Sequence, residues 1–466
     1  MQLPVLAGIY TDNQPDFRVG YPINLIPVTF PTGISNGYLR PSEGLISAGV
    51  LSGADRGAIE WLGTHYRLIG TNFVSIDQNG VINIIGTIPG SDQVTFDYSF
   101  DRLAIAANNQ LWYYDGSALS RVTDPDLGVV IDVVWVDGYF MTTDGEFLVV
   151  TELNDPTAVN PLKYGSSEID PDPVVAIKKI RNEIYAINRN TIEVFDNVGG
   201  TLFPFQRIDG AQIMKGAVGT HACCLYIDAL AFLGSGRNEQ PGIYLGANAQ
   251  AIKISTREID TVLLNYTETE LANVLLEQRT DKDQALLYVH LPDRTYVYDG
   301  AGSRAMGQQV WYVLTSSLTG FSEYRARNFV WVYGKHWCAD PTTGNYGYVS
   351  DSVSTHWGDK VRWECTTGLV YNESNGAVFH ELELVGLTGR VALGDNPVIS
   401  TSYSLDGVTY SQEHTISAGT IGDRNKRLVW RRQGKMRNWR VQRFTGNSDA
   451  HIGIVRIEAK IEGLAY

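Results

Sequence analysis

A strand–turn–strand pattern that recurs along the chain limits the possible folds more than any other feature of the sequence. In the stretch LLYVHLPDRTYVYDGAG, two apolar runs are separated by Pro292-Asp293 and followed by Asp299-Gly300. Pro-Asp and Asp-Gly pairs favour tight turns, so this stretch predicts a β-hairpin. Similar runs of β-forming residues end near Asp77, Asp115, Asp155, Asp196 and Gly246.

The spacing of these units is typical of propeller blades. Consecutive units lie roughly 40–50 residues apart, which is the length of four short antiparallel strands with their turns. In the unit that contains Asp299-Gly300 we predict further strands at 310–315 (VWYVLT) and 327–334 (RNFVWVYG). A sandwich would place its hairpins every ~8–12 residues without such grouping. The units therefore predict an irregular β-propeller of about six blades.

One segment has the features of a helix. In YTETELANVLLEQ, residues 266–278, Thr267 and Glu270 have capping-box spacing. Leu271, Val274 and Leu275 form an apolar stripe at helical spacing. We therefore predict a helix here, in an excursion between two strands of one blade.

The spacing of the predicted strands changes after about Cys365. Segments such as VFHELELVGLTG and IGIVRIEAKIEG alternate polar and apolar residues, with short and even intervals between strands. This pattern indicates a β-sandwich. We predict an all-β chain with an N-terminal arm or docking segment at 1–60, a β-propeller at 61–365 and a C-terminal β-sandwich at 366–466.

Charge and motif content exclude several classes of function. The 466 residues have a formal net charge of −14, and an acidic chain is a poor match to nucleic acid, whose phosphates require clustered Lys and Arg. The sequence has no P-loop and no nucleophile-elbow motif, and its eight histidines lack metal-ligand spacing. We predict no catalytic residues, no cofactor and no metal site.

We also predict no signal peptide and no membrane-spanning segment from the sequence. The first residues have no basic segment followed by an apolar core, and no apolar run approaches the ~18 residues of a membrane span. The four cysteines lack zinc spacing. Buried free thiols are expected, as in a protein made in a reducing cytoplasm.

One segment has a charge opposite to that of the chain as a whole. RNKRLVWRRQGKMRNWRVQRF, residues 424–444, holds nine Lys or Arg with two interleaved Trp. Arg and Trp are enriched at protein interfaces, so we predict a docking surface for an acidic partner. A solvated strand pair whose Arg stems cover the sandwich and contact with passing DNA are the alternatives. The candidate interface residues are Arg424, Lys426, Arg427, Trp430, Arg431, Arg432, Lys435, Arg437, Trp439 and Arg440.

Several segments, taken in order, resemble the packaged-DNA stabilisation proteins of short-tailed phages, also called tail hub or nozzle proteins. They include LAGIYTDNQPDFRVGYPINLIPV and NGYLRPSEGL near the start, then NTIEVFDNVGG, QIMKGAVGTHACC and NYTETELANVLLEQ, and finally SYSLDGVTYSQE and KRLVWRRQGKMRN. Each segment alone is weakly specific, but together they cover almost the whole chain in the same order. The extended end EAKIEGLAY departs from the family pattern.

The resemblance implies a structural virion protein of the phage tail, made in the host cytoplasm and without enzymatic activity. It implies a homo-hexamer below the portal and its head-to-tail adaptor protein, which closes the channel to retain packaged DNA at head completion. It further implies attachment of tail spikes or fibres, and in some members a tail needle. DNA would pass through the lumen during ejection without sequence-specific binding, and no membrane insertion is implied.

Two other functions are compatible with a propeller. YSLDGVTY, residues 403–410, resembles the Asp-box hairpin of sialidases, but Asp406 and Gly407 are adjacent here and the matching arginine cluster is missing. A glycan-binding or glycan-degrading tail propeller is the main alternative. A bacterial surface adhesin is disfavoured because no signal peptide is visible.

Overall fold

A computed structural model describes residues 20–30, 35–153, 155–372, 375–392 and 394–464, together with the backbone of 2–3. Of the arm predicted for 1–60, positions 1, 4–19 and 31–34 lie outside these described residues. Antiparallel sheets form most of the described part of the chain. The predicted fold class, an all-β chain with a propeller and a C-terminal sandwich, is confirmed.

The propeller has seven blades within the described residues, each a sheet of four or five strands. Blade 1 contains the strands Asp55–Trp61, Thr64–Ile69, Asn72–Ile76 and Ile82–Thr87. Blade 2 contains Thr95–Tyr98, Leu103–Ala107, Gln110–Tyr114 and Leu119–Arg121. Blade 3 contains Asp132–Val136, Tyr139–Thr143, Phe147–Glu152 and Asp155–Ser166. Blade 4 contains Val174–Ile180, Glu183–Asn188, Ile192–Asn197 and Phe205–Arg207. Blade 5 contains Gly216–Ala217, Cys223–Tyr226, Ala229–Ser235, Gly242–Ala247 and Gln250–Lys253. Blade 6 contains Leu275–Asp281, Gln284–His290, Thr295–Asp299 and Trp311–Leu314. Blade 7 contains Arg327–Val332, Lys335–Ala339, Asn345–Ser350 and Gly44–Val50.

Blade 7 explains why the repeat spacing gave about six blades rather than seven. Its outer strand is Gly44–Val50, which pairs with Asn345–Ser350 from the far end of the propeller. The strand predicted at 327–334 is the first strand of this blade, and so does not belong to the unit of Asp299 as predicted. Closure of the last blade by a distant strand joins it to the first blade and leaves no open seam in the ring.

Carboxylates connect neighbouring blades around the central axis. The innermost strand of each blade contacts the innermost strand of the next, and blade 7 contacts blade 1. The innermost strand is the first in chain order except in blade 5, where it is Cys223–Tyr226. At three junctions a carboxylate in one blade accepts a hydrogen bond from a backbone N–H of the next, at 2.6–2.9 Å. The pairs are Asp97 with Trp135, Asp132 with Ile177, and Glu277 with Phe329. Hydrogen bonds to charged groups contribute about 1.5–3 kcal/mol each, so these side chains help to hold the ring closed.

Three of the aspartates that mark the repeats, Asp77, Asp115 and Asp299, bind backbone N–H groups of the turns next to them. Asp77 Oδ1 accepts hydrogen bonds from the N–H groups of Asn79 and Val81, both at 2.8 Å. Asp299 caps the helix Gly300–Met306 by accepting from its first N–H groups at 3.0 Å. Such bonds satisfy N–H groups that the turn leaves unpaired. Equivalent contacts are made by Asp115, Asp144, Asp340 and Asp406.

The sandwich consists of two sheets, here named A and B. Sheet A has the strand order Leu25–Val28, Tyr38–Pro41, Gly453–Gly463, Ala377–Leu387, Leu428–Arg431, with Gln2–Leu3 and Lys435–Met436 paired at its sides. Sheet B has the order Arg362–Thr366, Trp439–Asn447, Val398–Ser404, His414–Ser417, with Val370–Tyr371 beside Trp439–Asn447. Their facing side chains form one apolar core, which includes Trp363, Phe379, Trp430 and Phe444.

The region from 20 to 50 belongs to both domains. Leu25 and Leu39 are buried in the sandwich core, whereas the strand that follows them closes blade 7. The chain therefore crosses between the domains near Ser42 and again between blade 7 and sheet B. The predicted limits at 60 and 365 remain a prediction, but the described part of 1–60 is not a separate arm.

The predicted helix is shorter than its sequence pattern. The α-helices are Arg257–Leu263, Glu268–Ala272 and Gly300–Met306, with a 3-10 turn at Pro125–Leu127. Thr267 and Glu270 form the predicted capping box, with N–H to oxygen distances of 2.8 and 3.3 Å. Leu275 instead begins the first strand of blade 6, because seven residues there pair with the strand Gln284–His290. Tertiary pairing thus overrides the helical pattern after Ala272.

Candidate docking surface

The basic segment follows the open edge of sheet A and then crosses into sheet B. Leu428–Arg431 is the last strand of sheet A, and Trp439–Asn447 lies inside sheet B. Along the edge strand, Leu428 and Trp430 point into the core while Arg431 is exposed, as the two-residue period of a strand requires. Cations on an edge strand also oppose pairing with the edge of another sheet.

Seven of the ten predicted interface residues are exposed. They are Arg424, Lys426, Arg427, Arg431, Arg432, Lys435 and Arg437. Trp439 is half-buried and already has a contact within the chain. The exposed group forms a continuous basic border along the edge of sheet A, and its role as an interface remains a prediction.

Two of these cations are already paired with acidic neighbours in sheet A. Arg427 contacts both carboxylate oxygens of Glu383, at 2.6 and 2.7 Å, and Arg431 Nε lies 3.5 Å from Glu381. Surface ion pairs contribute about 0–1 kcal/mol, so a partner's carboxylates could replace these contacts with little loss. Arg432, Lys435 and Arg437 are not among the ion pairs found in the described residues.

Trp430 and Arg440 are core residues, which corrects the prediction that they belong to a docking surface. Trp430 is 2% exposed; its indole N–H donates to the His414 carbonyl at 2.9 Å and its ring packs on Phe444. Arg440 is fully buried. Neither side chain can touch a partner while the sandwich is folded.

Arg440 is a buried cation with aromatic and carbonyl partners. Its guanidinium carbon lies 4.1 Å from the ring centre of Phe379 and 4.0 Å from that of Tyr403. It donates hydrogen bonds to the Gln433 carbonyl at 2.6 Å and to Gln442 Oε1 at 2.6 and 2.9 Å. Burial lowers the pKa of Arg440 to about 10, so the group stays charged at neutral pH. Cation–π contacts and hydrogen bonds offset its desolvation.

The residues that join the two domains carry no local sequence signal. Asn24 donates from Nδ2 to the carbonyl of Thr315, next to blade 6, at 2.9 Å and to that of Arg362, in sheet B, at 2.7 Å. Arg40 lies in the strand Tyr38–Pro41 of sheet A and contacts Glu43, Asp281 and Asp351 at 3.1–3.2 Å. Apart from Arg40 and Glu43, which are three residues apart, these partners are more than 200 residues apart in the chain, so only the fold brings them together.

Glu43 and Arg279 form the buried centre of this junction. The two side chains are paired, and Arg279 also stacks on the rings of Tyr288 and Phe329. Burial alone would raise the pKa of Glu43, but Arg279 and Arg40 outweigh it and lower that pKa to about 2. A buried pair of this kind is costly to break, because the remaining charge has no partner.

The axis of the propeller opens at one end into a polar cavity of about 390 Å³, here named the polar opening. The starts of the first strands line it, and its side chains include Asp55, Gln93, His221 and Arg327.

Within the described residues, no group of three or more His, Cys, Asp or Glu is arranged to hold a metal ion. The four cysteines are free thiols, and burial raises the pKa of Cys223 to about 12. Of the helices in the described ranges, none is long and apolar enough to span a membrane.

Comparison with known proteins gives matches in both domains. A family profile described as Bacteriophage P22 Gp10, beta-propeller, matches residues 1–354, and one described as Bacteriophage P22 Gp10, beta-sandwich, matches residues 362–462. The tail hub protein gp10 of Salmonella phage P22 is 27% identical over 460 residues, which is 94% of this chain and 94% of that protein.

Solved structures resemble the chain only loosely. The WD40 domain of Pan2 from Neurospora crassa has a TM-score of 0.42 at 12% identity, covering 64% of this chain and 90% of that one. Virginiamycin B lyase from Staphylococcus aureus has a TM-score of 0.42 at 13% identity, covering 66% and 97%. Similarity at this level does not bear on function.

The two profile matches divide the chain where the propeller ends and the sandwich begins. They confirm the resemblance to phage tail hub proteins and the predicted place in the virion tail. The chain therefore belongs to the Bacteriophage P22 Gp10 family and is a component of a phage tail.

Proposed function

We propose that this chain is a tail hub subunit that extends the portal–adaptor channel, closes it to retain packaged DNA and carries tail spikes or fibres. The observation that carries this proposal is the match to a tail hub protein over 94% of both chains, through both domains. In this role the chain is a structural part with no catalytic activity. Six copies would form the ring below the adaptor.

The junction between the domains supports a role as a rigid mechanical part. Two chain crossings, the shared 20–50 region and the Glu43–Arg279 pair connect propeller and sandwich. A body connected in this way resists hinge motion better than two domains on a single linker. Rigidity suits a part that holds DNA under pressure.

The charge distribution supports passage of DNA without binding. Residues 362–466 contain 13 Lys or Arg and 11 Asp or Glu, a net charge of +2, so residues 1–361 carry −16 of the total of −14. An acidic wall repels phosphate, and DNA can slide past it. The basic edge of sheet A is then free to dock onto an acidic neighbour, such as the adaptor or a spike.

Imaging of purified protein with portal–adaptor complexes tests the hub role. We expect a six-fold ring below the portal in negative-stain averages. Protein that never binds portal–adaptor complexes would contradict the proposal. A reducing-end assay on host polysaccharide addresses the glycan-degrading alternative, and we expect no new reducing ends.

Charge reversal tests the basic edge. The variant Arg431→Glu, Arg432→Glu, Arg437→Glu should reduce occupancy on portal–adaptor particles at least about tenfold, since rim charges act on association. A matched control, Arg121→Glu, Arg181→Glu, Arg304→Glu, changes the same number of exposed charges on the propeller. Normal occupancy of the first variant would show that this edge is a solvated face only.

A further inference from the structure

The end of the propeller axis opposite the polar opening has a distinct surface. The polar opening is lined by the starts of the first strands, so those strands finish at the opposite end. In an antiparallel blade, the turns after the first and third strands lie at the same end. The turn after the first strand is the one nearest the axis, because the first strands contact each other around the ring.

Six large apolar side chains are exposed at or beside these inner turns. Together they define what we name the apolar mouth, and they come from blades 1, 2, 5 and 7. They are Leu62 (73% exposed), Tyr98 (45%), Phe100 (83%), Leu225 (43%), Ile227 (50%) and Trp331 (60%). Scattered apolar residues are normal on a surface, whereas several at the same end of one ring indicate an interaction site.

Two residues of the mouth also have strained backbones. Leu62 and Ile227 have φ values of 51° and 56° at the first position of their turns. Asn or Gly would adopt this conformation more easily, and a β-branched residue such as Ile227 is rare there. The chain thus places apolar side chains at turn positions where they are unfavourable both for the backbone and for solvation. Strain that persists at an exposed site points to function.

Exposed carboxylates surround the mouth at the same end of the propeller. They lie in or beside the turns that follow the innermost or third strands of the blades: Asp77, Asp115, Asp137, Asp155, Asp196, Asp228 and Asp283. Of the cations at this end, Arg102 is paired with Asp101 and Lys282 with Asp351, whereas Arg181 in the inner turn of blade 4 is exposed and is not in an ion pair found in the described residues. The surface therefore suits a partner with an apolar tip flanked by positive charge.

The chain itself carries a loop of that description, residues 419–427, which we name the basic knob. Ile421 at its tip is 55% exposed, and Arg424, Lys426 and Arg427 follow it. The knob is held in shape from inside. Asp423 accepts hydrogen bonds from the N–H and hydroxyl of Thr420 at 2.9 and 3.0 Å, and its carbonyl accepts one from Thr388 at 2.7 Å. A preorganised loop loses little entropy on docking.

We infer that the basic knob of one copy docks on the apolar mouth of a second copy. Ile421 would contact the exposed apolar residues, and the cations of the knob would face the surrounding aspartates. The two surfaces differ, so the contact is heterologous and each copy offers one knob and one mouth. The inference deepens the proposed function, because it assigns a contact between copies of a hub subunit. DNA is excluded as the occupant because the aspartates repel phosphate.

Photo-crosslinking from the knob tests this contact. A photoreactive amino acid replaces Ile421, and the protein is irradiated both free at high concentration and in tails assembled on portal–adaptor particles. We expect a product of dimer mass whose cross-linked peptides include Leu62, Phe100, Ile227 or Trp331. Cross-links confined to a single chain, or missing from the mouth in both preparations, would overturn the inference.

Two matched controls make the result specific. The same photoreactive residue at Val408, which is 66% exposed elsewhere on the sandwich, should give no cross-links to the mouth. An acceptor carrying Leu62→Asp and Phe100→Asp should lower the yield at least about tenfold, a loss typical of a disrupted hot spot. An acceptor with Leu162→Asp and Ile252→Asp, on the exposed outer strands of blades 3 and 5, should keep the yield.

Failure of the contact and failure of the hub role give different results. Protein that binds portal–adaptor particles but shows no link between knob and mouth contradicts the contact alone. Protein that shows the link when free but never binds the particles contradicts the hub role and supports the contact.

Discussion

The propeller and the sandwich protect the edges of their sheets in different ways. The propeller completes its last blade with Gly44–Val50, and the inner strands of neighbouring blades contact one another around the ring. The sandwich leaves Leu428–Arg431 as an open edge and covers it with cations. Closure and charge are both known means of preventing edge-to-edge association. A strand edge that is already paired cannot bind a partner, whereas an edge protected by charge can still bind a partner of opposite charge.

Charge separates the two domains further. Residues 1–361 carry −16 and residues 362–466 carry +2. The propeller places some of its buried charges between blades, such as Asp132, and others within one blade, such as Asp55 beside Arg67, while the sandwich buries Arg440 among aromatic rings. From this difference we propose that the propeller repels most polyanions and that the sandwich carries the surface that attracts acidic partners. The predictions below test this division, from the largest expected effect to the smallest.

The substitution Gly347→Val should break ring closure. A Cβ at Gly347 would lie 1.9 Å from the Ile46 carbonyl oxygen, so the strand Gly44–Val50 would have to leave blade 7. We expect a loss of at least about 4 kcal/mol in the free energy of unfolding, measured with urea.

The control for this prediction is Gly453→Val in sheet A. A Cβ there would lie 3.9 Å from Leu387, which is an ordinary contact, so the loss should stay below about 1 kcal/mol. Unchanged stability of Gly347→Val would mean that the propeller does not depend on its closing strand.

The substitution Arg279→Met should uncouple the domains. It leaves the buried Glu43 without its closest partner, and breaking a buried pair costs about 3–5 kcal/mol. Adding Glu43→Leu removes the unpaired charge, so the double variant should recover part of the loss. A double-mutant cycle from urea unfolding measures the coupling, and additive effects of the two changes would contradict it.

The substitution Arg440→Ala should destabilise the sandwich by about 2–4 kcal/mol, because it leaves a cavity between two rings. Arg440→Met keeps much of the volume and removes a charge without a carboxylate partner, so its loss should be below about 1.5 kcal/mol. Tryptophan fluorescence during unfolding measures both variants. Wild-type stability together with a loss of docking would restore Arg440 to the interface and contradict its place in the core.

Acid should weaken the propeller through His356. This side chain is fully buried, with Nδ1 2.7 Å from Ser316 Oγ, and burial, aided by Arg325, lowers its pKa to about 3. The unfolded chain binds a proton at this residue below about pH 6.5, whereas the folded chain does so only near pH 3. Stability should therefore fall as pH drops from about 6.5 towards 3, by up to ~1.4 kcal/mol per pH unit. Urea unfolding at pH 7, 6 and 5 should show a smaller decrease for His356→Gln than for the wild type.

Local patterns in the sequence were sufficient for the fold class but not for the connections. Asp77 and Asp299 act on N–H groups within a few residues, so their turns could be recognised from neighbouring residues alone. The closing strand of blade 7 could not, because its partner lies about 300 residues away and nothing near Gly44 specifies it. The helix pattern at 266–278 failed for the same reason, since Leu275 pairs with a strand that comes later.

The candidate surface was predictable in its charge but not in its orientation. Arg437 and Arg440 look alike in the sequence, yet the first is exposed and the second buried. Arg432 has a φ of 58° between two strands, and the turn there resets which residues face the core. Periodicity read through such a turn assigns the wrong side to the residues beyond it.

The closing strand also determines when the propeller can finish folding during synthesis of the chain. Gly44–Val50 leaves the ribosome about 300 residues before Asn345–Ser350, a delay of about 15–60 s at ~5–20 residues per second. The delay is longer for Leu25–Val28 and Tyr38–Pro41, because the last strand of their sheet to be made is Gly453–Gly463. The propeller therefore cannot be completed before residue 350 has been made, and the sandwich cannot be completed before its last strand, Gly453–Gly463, has been made.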